Sequence, residues 1–237
     1  MGARDRQWVA AAIVTLVLAI VPAVLWPGAI SWMCDEPLLV GQAWHYNAMH
    51  QLAGRGLAGT VSVPYGPLPT QLYQLFLLFS NNLPLLVGLR AALCSGVLAG
   101  SLLWLSKTLG LTPWFAAALV LSPYLWWTQR VLWDASFALP LGVLGTAAYA
   151  SFLATRSGRS LLIAVAAITM VPLIHLQGLP LFVGFMGHAL WRHRDSLRRH
   201  SVGLGVVMLG LGILNGRYIY LIVCVFAPRM AQIICRG

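Results

Sequence analysis

Long apolar runs are separated along this chain by short polar breaks, and the breaks are of two kinds. Apolar runs cover 8–30, 67–80, 83–106, 111–128, 136–155, 161–174, 177–191 and 201–226. A helix that crosses a bilayer needs about 20 apolar residues, within a range of roughly 17 to 25. The run 67–80 falls short and carries Gln71, Gln74 and two prolines. It is therefore expected as a helix lying at the membrane surface. Some breaks are rich in arginine. Others hold Gly, Pro and the scarce acidic residues.

The arginine breaks orient the rest. With 67–80 left out of the membrane, Arg4, Arg6, Lys107, Arg156, Arg159, Arg192, Arg194, Arg198 and Arg199 all fall on one side, nine of fifteen Lys+Arg. That bias marks the cytoplasmic face. The same rule demands a hairpin in 161–191, bending near His175-Leu176-Gln177-Gly178. The pattern predicts an all-α polytopic bundle of about seven spans with a cytoplasmic N-terminus at 1–7. The first span follows at 8–30. An extracytoplasmic loop at 31–82 carries two interfacial helices, at 36–53 and 67–80, joined by the Gly- and Pro-broken turn Gly54 to Gly66. A six-span bundle covers 83–226, and 227–237 forms a tail.

Composition strengthens this picture. Of 237 residues, 59% are hydrophobic and 8% charged, with mean hydropathy +0.81, where a soluble domain carries about 25% charged residues. The net charge of +10 sits in loops between apolar segments, so no nucleic-acid partner is expected. The expected partner is membrane lipid. The N-terminal run is too long for a cleaved signal and reads as a retained anchor. Cys34, Cys94, Cys224 and Cys235 lack metal-ligand spacing, and a Cys34–Cys235 bond would require both to face an oxidising compartment.

Candidate chemistry gathers on the outer side. Asp35 and Glu36 follow the first span in a chain with five acids. Asp35 reads as a helix N-cap with Pro37 in the first turn, or as a general base or metal ligand; the two roles are compatible. Arg130 and Asp134 are spaced i, i+4, which suits a surface ion pair or an arginine clamp on a phosphate oriented by the aspartate. His175, with Gln177, lies at the same outer edge, as a packing residue or a site residue. Arg55 is placed to reach a phosphate headgroup, and Tyr65-Gly66-Pro67 reads as a turn that starts a helix. His45 and His50 lack a third ligand at suitable spacing for zinc.

The order of these elements resembles a known one. A first span leads to Asp35-Glu36 and an interfacial helix, then to Tyr65-Gly66-Pro67-Leu68-Pro69 and a short helix. Arg130-x-x-Trp133-Asp134 precedes a span, and Ile174-His175-Leu176-Gln177 marks another outer edge. This resembles the polytopic GT-C glycosyltransferases, in particular the protein mannosyltransferase, ArnT-like and RgtA/B/C/D-like group, over most of residues 8–200. The resemblance implies transfer of a sugar from a polyprenyl-phosphate donor to an extracytoplasmic acceptor at a bacterial plasma membrane. Asp35 then matches the catalytic carboxylate and Glu36 its acidic neighbour. Arg130, Asp134, His175, Arg55 and Tyr65 are substrate-binding candidates, and a divalent metal is possible. Members of that group are longer, so the resemblance also implies a truncated or minimal form. The competing expectation is a non-catalytic transporter or flippase of lipid-linked sugars, or a structural subunit, with Arg90 and Arg217 marking any translocation path.

Overall fold

The computed structural model describes residues 2–25, 35–58, 64–130 and 135–226. Eleven α-helices are named among them: α1 (Ala3–Leu25), α2 (Asp35–Ala48), α3 (Leu68–Leu77), α4 (Leu83–Thr108), α5 (Trp114–Val120), α6 (Pro123–Arg130), α7 (Ala135–Thr155), α8 (Gly158–Ile174), α9 (Leu179–Arg192), α10 (Arg194–Arg199) and α11 (Ser201–Tyr220). The described residues hold no strand, only one isolated bridge between Ala58 and Pro64. The all-α expectation therefore holds.

Four helices contain stretches long and apolar enough to cross a membrane: Arg4–Pro22, Leu83–Thr108, Ser136–Thr155 and Ser201–Tyr220. The helix Gly158–Ile174 is apolar but shorter. Large apolar side chains point outward, among them Val202, Val206, Leu209 and Ile213 on α11. A soluble fold would bury that face; hydrocarbon has no reason to expel it. Helix hydroxyls bond back to their own helix, as Thr15 Oγ1 donates to the Ala11 carbonyl at 2.6 Å and Ser101 Oγ to that of Val97 at 2.6 Å. These are the partners a polar group finds where water is absent.

Packing gives each helix a direction. Gly145 on α7 lies against Ile168 on α8; a Cβ there would sit 2.3 Å from Ile168 Cγ1. With Ser151 Oγ 3.2 Å from Ser160 Oγ, the two helices run antiparallel at close approach, the use small residues commonly have between membrane helices. By contrast α4 and α7 run parallel. Val87 and Ala91 share a buried cluster with Phe137, Leu98 and Leu102 pack with Val143, and Trp104 packs on the cluster of Ala148 and Phe152. The chain between them must therefore return the length of the bundle.

That return differs from the single span expected at 111–128. It is two helices, α5 and α6, interrupted at Leu121-Ser122. The cause is Pro123. The α conformation is disfavoured for the residue before a proline, and the proline has no N–H to continue the ladder. Other boundaries shift too. The first helix begins at Ala3, where the Gly2 N–H donates to Asp5 Oδ2 at 3.0 Å, so the charged segment 1–7 belongs largely to the helix. The interfacial helix expected to 53 ends at Ala48, since His50 takes a left-handed φ of 53°. In place of 201–226 as one helix, α11 stops at Tyr220 and a wider turn covers Leu221–Phe226. The tail 227–237, Cys34 and Cys235 lie outside the described residues.

The 161–191 hairpin is present. A single 3-10 turn, Leu176–Gly178, joins α8 to α9, and Arg156 Nη1 lies 2.8 Å from His193 Nδ1 at the far end. Arg156, His193 and His200 thus share one end of the bundle with Gly158, against which the His200 ring packs. Arg4 and Lys107 line a common cavity where α1 and α4, antiparallel through Ile20 and Gly96, come level. Which side of a membrane this end faces is a matter of the charge rule rather than of packing.

The opposite end is capped by α2 and α3. Leu39, Val40 and Ala43 of α2 and Tyr73 of α3 join Val87, Ala91, Cys94, Phe137 and Ile174 in one buried cluster. The irregular stretch beyond α2 is held by glutamines. Gln74 is buried; its Oε1 accepts from the Ala53 N–H at 2.8 Å, and its Nε2 donates to Asn47 Oδ1 at 2.9 Å and to the Gln51 carbonyl at 2.8 Å. Gln71 Nε2 donates to the carbonyls of Ala53 at 2.9 Å and Leu214 at 3.2 Å. Replacing Gln74 with Leu strands a buried N–H and two acceptors. Thermal unfolding in detergent is expected to show a loss of about 2 kcal/mol, whereas an unchanged midpoint would remove Gln74 from this role.

Candidate functional site

Tyr65 and His175, singled out separately in the sequence, meet directly. Their rings stack with centroids 4.7 Å apart and planes at 22°. The contact is set by the backbone on both sides. The Gly56 N–H donates to the Tyr65 carbonyl and the Tyr65 N–H to the Leu57 carbonyl, both at 2.8 Å, so two loop arms lie side by side. The next residue, Gly66, then donates its N–H to the Ile174 carbonyl at 3.3 Å. A Cβ on Gly66 would fall 1.1 Å from the Leu173 oxygen. The sequence reading of Tyr65-Gly66-Pro67 as a helix-starting turn is thus incomplete: the glycine exists so that the loop can seat on the end of α8.

His175 is buried and closes α8. Its Nδ1 accepts from the Gln177 N–H at 3.2 Å, which requires that nitrogen to be unprotonated. Burial pushes the imidazole below the ordinary histidine value, in agreement with that role.

His175 and Gln177 also sit at one head of a cavity of about 560 Å³. Its walls are Leu102 and Leu105 of α4, Tyr124 and Thr128 of α6, the Ser136 to Thr146 face of α7, and Val171, Gly178 and Leu181 around the α8–α9 turn. The lining is mostly apolar. Ser136, Thr128 and Gln177 stand toward the His175 end, while Leu102, Leu105 and Val143 line the other part together with Thr146, whose hydroxyl donates to the Gly142 carbonyl at 2.8 Å. A groove of this kind fits a long apolar chain carrying a polar head.

The other candidates are placed unevenly. Arg55 is exposed on the loop arm paired with that of Tyr65. Its neighbour Gly54 packs on the Arg217 side chain, with a Cβ position 2.4 Å from Arg217 Cδ. Arg217 therefore joins Arg55 at the surface of this end, a pairing no local sequence signal announces. Asp35 and Glu36 begin α2, one turn before Leu39 of the buried cluster that also holds Ile174; their side chains lie outside the described residues. Arg130 ends α6, and its side chain is likewise outside, as is Asp134 altogether. Among the described residues no three His, Cys, Asp or Glu side chains come together to hold a metal ion.

Residues that composition alone did not flag as functional, Tyr124, Thr128 and Ser136, face the groove. The only sequence signal for them is a hydroxyl group within an apolar run. The chain matches no protein-family model, no curated protein and no solved structure.

Two outcomes follow from this geometry. Gly66→Ala is expected to destabilise the protein by about 3 kcal/mol or more, because the collision is with backbone and cannot be relieved by a rotamer. Gly100→Ala, which meets open space within 4 Å, is expected to be neutral or slightly stabilising; equal unfolding midpoints for the two would refute the seating contact. The second outcome concerns pH. The folded value of His175 lies below the unfolded one, so the unfolded chain binds the extra proton first as pH falls. Stability is therefore complete above about 6.5 and declines below it. His175→Asn should show a shallower decline in unfolding midpoint between neutral and mildly acidic buffer; parallel curves would contradict the assignment.

Proposed function

We propose that this chain is a membrane-embedded glycosyltransferase of the GT-C kind, which moves a sugar from a polyprenyl-phosphate donor to an acceptor hydroxyl. The observation that carries the reading is the apolar groove with its polar head at His175, Gln177 and Ser136, at the end of the bundle where α2 begins at Asp35. In this reading the polyprenyl chain lies along Leu102, Leu105 and Val143, and the phosphate sits at the polar head. Arg55 and Arg130 are the cations assigned to it. Asp35 takes the proton of the acceptor hydroxyl as that oxygen bonds to the anomeric carbon, and the bond from that carbon to the phosphate oxygen breaks. Polyprenyl phosphate departs as the anion. Glu36 and Asp134 orient Asp35 and Arg130, and Tyr65 holds the His175 ring in place. The site would face the extracytoplasmic side of a bacterial plasma membrane.

Transport of the same lipid-linked sugar is the competing reading, with Arg90 and Arg217 on the path. Neither lines the groove. Arg90 is fully buried with its guanidinium carbon 5.0 Å from the Phe137 ring centre, and Arg217 packs on Gly54. That placement favours transfer over passage.

Membranes containing the Asp35→Asn variant, given a polyprenyl-phosphate sugar, are expected to transfer it at least about 100-fold more slowly than wild type. Wild-type rates would end the catalytic assignment. Gly142→Leu tests the groove separately. The Cβ position of Gly142 meets Leu181 at 3.4 Å, an ordinary contact, so the variant should fold. It is expected to raise KM for a long-chain donor about tenfold while sparing a short-chain one; equal effects on both would remove the groove from donor binding.

A further inference from the structure

The end of the bundle opposite the groove carries a different set of groups. Between 135 and 226 the chain has one acid, Asp195. Against it stand Arg156 and Arg159 at the α7–α8 turn, Arg192 at the end of α9, and Arg194, Arg198 and Arg199 on α10. Among the described residues Asp195 forms an ion pair with Arg194 alone, at 3.9 Å with both side chains well exposed. Leu197 of α10 packs on the buried cluster of Ala148, Phe152 and Leu161, which lays the short helix against the bundle and turns its arginines outward. The whole end is thus a basic surface held in place by an apolar anchor.

Within it is a built notch. The Arg156 backbone is left-handed, with φ 57°, in a residue with no glycine-like freedom. It is the residue that closes α7: its N–H donates to the Phe152 carbonyl at 2.8 Å, the left-handed ending that helices commonly take. From this position the Arg156 guanidinium carbon lies 5.7 Å from the Phe152 ring centre and Nη1 lies 2.8 Å from His193 Nδ1. Beside it the Tyr149 hydroxyl lies 2.6 Å from His188 Nδ1. Burial first, and then the charges of Arg156, His188 and Arg192, hold the His193 ring below its ordinary value. The flank of the notch is apolar and open. Leu190 is 57% and Trp191 80% exposed, next to Arg192.

We propose that this notch binds the headgroup of an anionic phospholipid, with Arg156 at its centre, Arg192, Arg198 and Arg199 around the phosphate, and the acyl chains lying along Leu190 and Trp191 of α9. A free phosphate would use the cations alone. The exposed aromatic and leucine beside them fit a ligand that is charged at one end and apolar at the other, and basic pockets between membrane helices recognise lipid headgroups by this combination. The site is independent of the groove and of any transfer activity.

Native mass spectrometry of the full chain in a neutral detergent tests it, with phosphatidylglycerol and phosphatidylcholine added in equal amounts. Wild type is expected to retain phosphatidylglycerol preferentially. Arg156→Gly should lower that preference about fivefold, the value of one arginine near an anionic surface. Glycine accepts φ 57° without strain, so the variant should unfold no earlier than wild type and the loss cannot be laid to misfolding. Arg198→Gln with Arg199→Gln should lower the preference further. Equal retention of the two lipids by wild type, or an undiminished preference in these variants, would overturn the proposal. So would displacement of the lipid by millimolar inorganic phosphate, which would show a site for a free anion instead.

Discussion

The structure depends on the close approach of Gly66 to the last turn of α8. One hydrogen bond, from the Gly66 N–H to the Ile174 carbonyl, ties the loop between α2 and α3 to the centre of the bundle. It also gives a helix-terminal carbonyl the partner that a membrane does not offer. Around this contact the Tyr65 ring is laid on His175, the His175 nitrogen is turned to the Gln177 amide, and the head of the groove takes its shape. Gln71 and Gln74 extend the same principle outward. They provide side-chain partners for a stretch of backbone that belongs to no helix.

The two ends of the molecule solve opposite electrostatic problems. At the α2–α3 end, polar groups are few and mostly committed to one another, and the apolar groove reaches them from the side. At the other end, arginines outnumber acids and stand exposed around the turn that closes α7. The bundle between is apolar on its outer face and mostly apolar within, with Arg90 and several serines buried in it, and close helix contact comes from small residues such as Gly145, Ala147, Ala148 and Ala164 rather than from a hydrophobic force between helices.

Much of this was legible in the sequence, and what was not has physical reasons. The hairpin at His175 followed from the arginines at both ends of 156–199, because charge placement constrains direction more firmly than helix length does. The short helix at 67–80 was betrayed by Gln71 and Gln74, although their partners, Ala53, Asn47 and Leu214, are remote in sequence and could not be named. The break at Leu121-Ser122 was written in Pro123, but apolar composition on both sides masked it. Tyr65 and His175 were each noticed, and their stacking was not, since nothing local brings residues so far apart together. Arg217 and Arg55 are the same case. The acidic pair that first draws the eye opens α2, with Asp35 inside the helix as its first residue where the sequence suggested a cap just before it.

The seating of Gly66 on α8 has a consequence for the order in which the protein assembles. The two partners lie on either side of α4 to α7 in the chain, so the loop has nothing to dock on until α8 has been synthesised and placed. Through that interval the tyrosine arm waits with its contacts to α8 and His175 unmade, although α2 and α3 already have each other and α4 to pack on. Closure of such a distant pair is an entropic step that comes late. The groove head is therefore among the last parts of the molecule to exist. Any ligand of the groove meets a finished pocket only after the helices that wall it are already home.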